Sequence, residues 1–184
     1  MPETQRRSLM DPSQVERVLA RMAEGIVEQT GTEGLVLVGI ERRGVQLAAL
    51  IARAVEERGG ELPLTGSLDI TLYRDDLMSV GPRPVVGQTR LPTGGIDGRH
   101  LVIVDDVLYT GRTVRAALDE LADFGRPARI LLAVLVDRGG RELPIHADVV
   151  GERVEVGEGE TVEVLVPELD GRLGVDLVPL EVEG

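Results

Sequence analysis

The chain predicts an α/β fold, a doubly wound and mainly parallel sheet flanked by helices, on three observations. Short apolar runs alternate along it with segments of helical period, the pattern of strands linked by crossover helices. Several of those runs, such as Leu35 to Ile40 and Ile130 to Val136, are apolar with little or no alternation, as buried parallel strands are. Hydrophobic residues make up 42% of the chain but aromatic residues only 2%. The core must therefore be built of Leu, Val, Ile and Ala, which suits a parallel sheet covered by helices. At 184 residues the whole chain, 1–184, is expected to form one domain with a sizeable core.

The elements follow in order. Asp11-Pro12-Ser13 reads as a helix start, with polar caps beside a Pro suited to the first turn. Val15, Val18, Leu19, Met22 and Ile26 follow at helical spacing. After the strand Leu35 to Ile40, the stretch Gly39-Ile40-Glu41-Arg42-Arg43-Gly44 reads as a loop, and Val45, Ala48, Ile51, Ala52 and Val55 as the next helix. Leu64, Leu68, Ile70 and Leu72 alternate with polar residues, a half-buried strand. Residues 73–99 are rich in Gly and Pro and keep no period; so long a loop inside a compact domain reads as a functional lid or as disorder. Leu101 to Val104 is the third strand, Thr113 to Phe124 a helix stopped by Gly125 and Pro127, and Ile130 to Val136 the fourth strand. Ala147 to Val150, Thr161 to Val166 and Val175 to Leu180 read as short C-terminal strands over about 147–180. In such a sheet ligands sit beyond the carboxyl ends of the strands, where the loops after Ile40, Val104 and Val136 lie.

Composition excludes several chemistries. No Cys is present, which removes disulfides, thiolate catalysis and Cys-ligated zinc. All 20 basic residues are Arg, which removes Schiff-base lysines and a P-loop lysine. The net charge of −12 argues against broad nucleic-acid affinity and leaves no expectation of a DNA partner. No apolar stretch is long enough to span a bilayer, so no membrane partner and a cytoplasmic location are expected.

The run Val102-Ile103-Val104-Asp105-Asp106-Val107-Leu108-Tyr109-Thr110-Gly111-Arg112-Thr113 carries the chemistry. An apolar strand ends in two carboxylates, a Thr-Gly-Arg-Thr turn follows, and Val114, Ala117, Leu118 and Leu121 then recur at helical spacing. The acids can accept hydrogen bonds from vicinal hydroxyls. The helix start offers unpaired N–H groups and the positive end of its dipole to a phosphate. Thr110 and Thr113 add hydroxyl donors, and Gly111 lets the backbone come close to the anion. The acid pair alone also fits a helix cap or a metal site; the Gly- and hydroxyl-lined turn beside it favours a sugar phosphate. Arg42 and Arg43 are either a solvated pair or a phosphate fork. Tyr73, Arg74, Asp75 and Asp76 are either a surface turn or the opening of a lid, and Asp137-Arg138-Gly139 either a turn with a local ion pair or a recognition loop.

Val102 to Thr113 resembles the motif that binds 5-phosphoribosyl-1-diphosphate (PRPP) in the type I phosphoribosyltransferases. Leu68-Asp69-Ile70-Thr71-Leu72-Tyr73-Arg74-Asp75-Asp76-Leu77 and Leu135-Val136-Asp137-Arg138-Gly139-Gly140-Arg141-Glu142-Leu143-Pro144-Ile145 narrow the resemblance to one branch. That branch comprises the pyrimidine-operon regulators that are also uracil phosphoribosyltransferases. The resemblance implies the type I phosphoribosyltransferase fold with a small hood and a flexible lid over about 73–99. It implies conversion of uracil and PRPP to UMP and diphosphate, with Asp105, Asp106, Arg74 and Arg42 as the catalytic groups. By the same resemblance the acid pair holds the ribose hydroxyls, directly or through Mg2+. Tyr109 to Thr113 clasps the 5-phosphate, with Arg112 either touching it or solvated. Arg42, Arg43 and Gly44 form the diphosphate loop, and Tyr73, Arg74 and Asp75 the lid that closes over it. Asp137, Arg138 and Val154 meet the base under a hood that includes Val154 or Val156, while Arg141 and Glu142 are structural. Tyr109 replaces the Asp usual in 6-oxopurine enzymes of the superfamily, which counts against hypoxanthine or guanine.

The branch also binds a stem-loop in pyrimidine-operon mRNA in response to UMP or UTP, and its members form dimers and higher assemblies, so the resemblance implies a homodimer or homotetramer for this chain. Three departures bear on the RNA. The Thr-Arg-x-x-His of the first helix is here Ala20, Arg21 and Glu24, leaving Arg21 as the RNA-binding candidate. The Arg-Gly-His after the fourth strand is Arg138-Gly139-Gly140, and the basic stretch after Gly151 is the acidic Glu152-Arg153-Val154-Glu155-Val156-Gly157-Glu158. RNA affinity is therefore expected to be weakened or redirected. The alternative to an enzyme that makes UMP is an RNA-binding attenuator with little or no catalysis.

Overall fold

A computed structural model of the chain describes residues 5–70 and 88–181. Its larger sheet has five parallel strands in the order β3-β2-β4-β5-β6: β2 (Val36–Ile40), β3 (Leu64–Leu68), β4 (His100–Leu108), β5 (Arg129–Asp137) and β6 (Val149–Arg153). The helices are α1 (Pro12–Thr30), α2 (Arg43–Glu57), α3 (Arg112–Leu121) and the single turn α4 (Pro167–Asp170). A second, antiparallel sheet joins β1 (Arg7–Met10), β8 (Gly174–Pro179) and β7 (Glu160–Leu165) in the order β1-β8-β7.

The expected doubly wound sheet is what forms. Val15, Val18, Leu19, Met22, Ala23 and Ile26 of α1 and Leu47, Ala48, Ile51, Ala52 and Val55 of α2 are buried in one cluster with Val102, Val104, Leu131 and Leu135 of the sheet. The other face of the sheet, including Val38, Ile103 and Val134, packs with Val114, Ala117 and Leu121 of α3. The alternation of β4 residues between the two clusters is the strand period of two. Val162, Val164, Val175 and Leu177 of the small sheet join the first cluster, so this sheet shares a core with α1 and α2. Asp11 starts α1 with a reciprocal cap: its Oδ1 accepts the Gln14 N–H at 2.8 Å, and its own N–H donates to Gln14 Oε1 at 2.8 Å.

Several boundaries differ from expectation for physical reasons. β4 does not stop at Val104 but runs to Leu108, because β5 pairs with it as far as Leu108 and Asp137. Asp105 and Asp106 thus lie within the paired strand. Arg43 and Gly44 belong to the first turn of α2, not to a loop. α3 begins at Arg112 and ends at Leu121, three residues before Phe124. β3 ends at Leu68; Leu72 lies outside the described residues. β6 extends to Arg153, past Val150. β1 and α4 carry too few residues to show a period. Among the described residues no helix is long and apolar enough to cross a membrane.

Candidate active site

β2 and β4 are neighbours, but the chain leaves them in opposite directions, β2 toward β3 and β4 toward β5. This reversal opens a crevice beyond their carboxyl ends. The two helices that follow start there. Gly39 and Gly44 make the fit: a Cβ on Gly39 would stand 2.3 Å from the Gly44 carbonyl oxygen, and one on Gly44 2.5 Å from that of Val104. No side chain can occupy either position without moving backbone, so α2 begins tight against both strands.

Arg42 is the N-cap of α2 and is exposed. Arg43 behaves differently. Its Nε and Nη2 donate to Asp170 of α4, the turn between β7 and β8, at 3.2 and 2.8 Å. That bond is the main reason the Arg43 pKa is raised. Asp170 also accepts the Val166 N–H at 2.8 Å. Burial pushes the Asp170 carboxyl upward, but Arg43 and this amide outweigh it and hold it below the usual carboxylate range. Of the two guanidiniums expected at the diphosphate loop, Arg42 faces solvent and Arg43 braces the fold.

On β4, Asp105 is 6% exposed and Asp106 half-buried. Asp105 Oδ1 accepts the Asp106 N–H at 2.9 Å, and Asp106 Oδ1 accepts the Val107 N–H at 2.8 Å. Asp106 is the more open carboxylate. Two adjacent oxygen-donor groups suit Mg2+, which keeps water and substrate oxygens around a few carboxylates. Among the described residues no group of three or more His, Cys, Asp or Glu could hold a metal.

The chain from Leu108 to Arg112 turns into α3 through Gly111 at φ +93°, a left-handed conformation. The segment after β5 wraps this turn. Arg138 N–H donates to the Leu108 carbonyl at 3.1 Å, and the Glu142 and Leu143 amides donate to the Thr110 carbonyl at 2.9 and 3.2 Å. Arg141 donates to the Tyr109 carbonyl and to Asp137 Oδ2, both at 2.7 Å, and to the Ile145 carbonyl at 2.9 Å. Arg112 Nε pairs with Glu142 at 2.8 Å on the exposed side.

Asp137 is 5% exposed and also receives the Gly139 N–H at 2.9 Å and Arg153 Nη1 at 3.2 Å. Burial raises its pKa, but the Arg141 bond, the Gly139 amide and Arg153 together bring it below the ordinary value. The Arg138 guanidinium lies 3.9 Å from the centroid of the Tyr109 ring and donates to Thr161 Oγ1 of β7 at 3.0 Å. Asp137, Arg138, Gly139, Arg141, Arg153, Val154 and Glu155 line a groove of about 410 Å³.

The structure therefore brings Arg42, Arg43 and Gly44 beside Val102 to Asp106, and sets the Tyr109 to Thr113 turn against Asp137 and Arg138, with Val154 in the same groove. Tyr73, Arg74 and Asp75 lie outside the described residues. Arg21, on α1, donates to the Gly151 carbonyl and, at 3.4 Å, to Glu152. Sequence reasoning missed Asp170, Arg153 and Thr161 as partners of the expected site residues. Asp170 comes from α4, Arg153 from the end of β6 and Thr161 from β7, and no local pattern marks them.

Residues 6–166 match the family of the phosphoribosyl transferase domain. The bifunctional protein PyrR of Thermus aquaticus is 57% identical over 171 residues, covering 92% of this chain and 93% of that protein. The bifunctional protein PyrR of Corynebacterium diphtheriae is 49% identical over 174 residues, covering 92% and 91%. Among solved structures, a hypoxanthine-guanine phosphoribosyltransferase from Bacillus anthracis superposes with a TM-score of 0.71 at 17% identity, covering 96% of this chain and 99% of that one. A hypoxanthine phosphoribosyltransferase from Trypanosoma cruzi gives 0.67 at 22% identity over 96% of both. At such identity these structures speak for the fold alone.

Proposed function

Because the chain belongs to the phosphoribosyl transferase domain family, we propose that it transfers the phosphoribosyl group of PRPP to uracil, forming UMP and diphosphate. The observation that carries this reading is the crevice itself. The last residues of β4, past its pairing with β2, supply an acid pair and lead into an amide-lined helix start, and β2 leads to an exposed Arg at a second helix start. Carboxylates for ribose hydroxyls, amides for one phosphate and a guanidinium for a diphosphate are the recognition groups PRPP requires.

Asp105 and Asp106 hold the ribose hydroxyls and would hold Mg2+, which when bound neutralises diphosphate charge. The Tyr109 to Thr113 turn fixes the 5-phosphate, and Arg42 with the first amides of α2 receives the leaving diphosphate. The bond from C1 to the diphosphate oxygen breaks with its electron pair going to diphosphate. Positive charge develops on the ribose as the N1 lone pair of uracil forms the new bond from the opposite face, and the N1 proton passes to the departing diphosphate or to water. The protein contributes orientation and stabilisation of separating charge. Arg138, held on the Tyr109 ring, and the Asp137 to Gly139 backbone face the base. Tyr73 and Arg74, which lie outside the described residues, carry the role the resemblance implies, a lid over the diphosphate that would exclude water.

The test is UMP formation from labelled uracil and PRPP with Mg2+. Asp105→Asn combined with Asp106→Asn should lower turnover by at least about a hundredfold, and undiminished UMP formation by the double variant would overturn the assignment.

We further propose a second activity, that of a UMP- or UTP-responsive regulator that binds a pyrimidine-operon mRNA stem-loop; relatives named bifunctional support a reading with two activities. The alternative, an attenuator with little catalysis, is separated by a gel-shift titration against the pyrimidine-operon leader with and without UMP. No retardation at micromolar protein would remove it.

A further inference from the structure

We infer that Arg141 is a positioning residue that aims the phosphate-binding amides and locks them to the base loop. The inference rests on the reading of the 109–113 turn as a phosphate clasp and goes beyond it. Arg141 reaches three acceptors on three segments: the Tyr109 carbonyl and Asp137 Oδ2 at 2.7 Å and the Ile145 carbonyl at 2.9 Å. The next two residues complete the brace, with the Glu142 and Leu143 amides on the Thr110 carbonyl at 2.9 and 3.2 Å. The carbonyls of Tyr109 and Thr110 are thus both turned toward the 141–143 segment.

Peptide geometry makes that orientation consequential. In a planar trans unit the C=O and the following N–H point in opposite directions. Among the described residues the only cis bond is Glu41–Arg42, so the units joining Tyr109 to Thr110 and Thr110 to Gly111 are trans. With their oxygens anchored on the brace, the N–H groups of Thr110 and Gly111 are aimed away from it, into the turn that opens α3. A fixed pair of donors at a helix start binds an anion without reorganising first. The fit of the brace is close: a Cβ on Gly111 would lie 3.1 Å from Ile145. Through Asp137, which accepts the same guanidinium, the brace also ties the phosphate turn to the loop that faces the base.

Binding of ribose 5-phosphate, read by calorimetry, tests the inference without relying on turnover. Arg141→Met should weaken it about tenfold, the worth of misaligned charge-assisted or amide hydrogen bonds, and leave inorganic diphosphate, which meets Arg42, within about twofold. Arg42→Ala should do the reverse. Arg141→Lys keeps a cation near Asp137 but cannot span three acceptors, so it should fall between wild type and Arg141→Met; it carries the test should the methionine variant not fold. In steady state the Arg141 variants should raise the KM for PRPP more than they lower kcat. Unchanged ribose 5-phosphate binding in both Arg141 variants overturns the inference and leaves the clasp intact. Equal weakening of both ligands with a lowered melting temperature also overturns it, since that is a merely structural role. Failure of the wild-type protein to bind ribose 5-phosphate overturns the clasp, and the inference with it.

Discussion

Arg42 and Arg43 are sequence neighbours, yet one is exposed at the crevice and the other is paired twice with Asp170. Arg42→Ala should therefore lower catalysis with little change in stability. Arg43→Ala removes the charged partner of the Asp170 carboxylate, 14% exposed in its side chain, and leaves it the Val166 amide. Allowing for solvent screening of this partly open pair, it should cost about 1–2 kcal/mol in urea unfolding. Because Asp170 is held below its ordinary pKa, that stabilisation is present above about pH 4 and is lost as pH falls through the lowered value, so the two proteins should converge in acid. Glu120 of α3 has the opposite sign. It is 8% exposed, burial raises its pKa, the Thr89 hydroxyl at 2.6 Å lowers it, and Asp69 and Asp123 raise it again. A folded pKa above the unfolded one means that ionised Glu120 opposes folding at neutral pH and ceases to as pH falls. Glu120→Gln, whose amide oxygen can still accept from Thr89, should raise the melting temperature at pH 7 and lose that advantage near pH 4.5; an advantage that persists there would show that charge is not the cause.

At the scale of elements, the small sheet meets the site where Thr161 of β7 accepts from Arg138, and β1 is one of its edge strands. β1 pairs only with β8, and the adjoining Arg6 donates to Asp176 at 2.7 Å while Arg172 donates to the same oxygen at 2.6 Å. Asp176 is 1% exposed. Deleting residues 1–10 should bare the β8 edge, leave Asp176 with Arg172 alone, and lower the thermal midpoint while the far-ultraviolet signature of the five-stranded sheet remains; an unchanged midpoint would deny β1 that role. β1 also shows where legibility ends. The long helices and buried strands were readable because burial imposes a period on many residues at once, as Val15 through Ile26 do on α1. A four-residue strand beginning with Arg7 and pairing with Leu177 has no such period, and its partner is set by the fold. The same holds at the candidate site. The acid pair, the Thr-Gly turn and the Arg42 loop were visible as local runs at strand ends. That Arg43 turns to Asp170, that Arg153 reaches Asp137, and that β4 extends to Leu108 depend on neighbours far along the chain.

Across the whole molecule the charge of −12 is unevenly spread, and its effect on RNA can be argued from one contact. Residues 151–184 contain ten acidic and two basic residues. Arg21, the residue kept from the first-helix pattern of the resembled branch, lies beside this acidic segment and donates to the Gly151 carbonyl and to Glu152. Arg17, Arg21 and Arg153 line a groove of about 500 Å³ with Glu152. An RNA phosphate reaching Arg21 must compete with a carboxylate already there and approach a surface of its own sign, so both the pair and the field work against binding. Glu152→Gln removes the competing charge while leaving the Gly151 carbonyl to orient Arg21. It should tighten binding of the pyrimidine-operon leader in a gel shift with UMP present. If the gain is one more phosphate contact to an unpaired loop, log affinity against log salt should steepen by about 0.7. Superimposable salt series for wild type and Glu152→Gln would show that this carboxylate does not gate Arg21. Absence of binding by either protein would remove the RNA activity and leave the transferase, whose crevice shares neither residue.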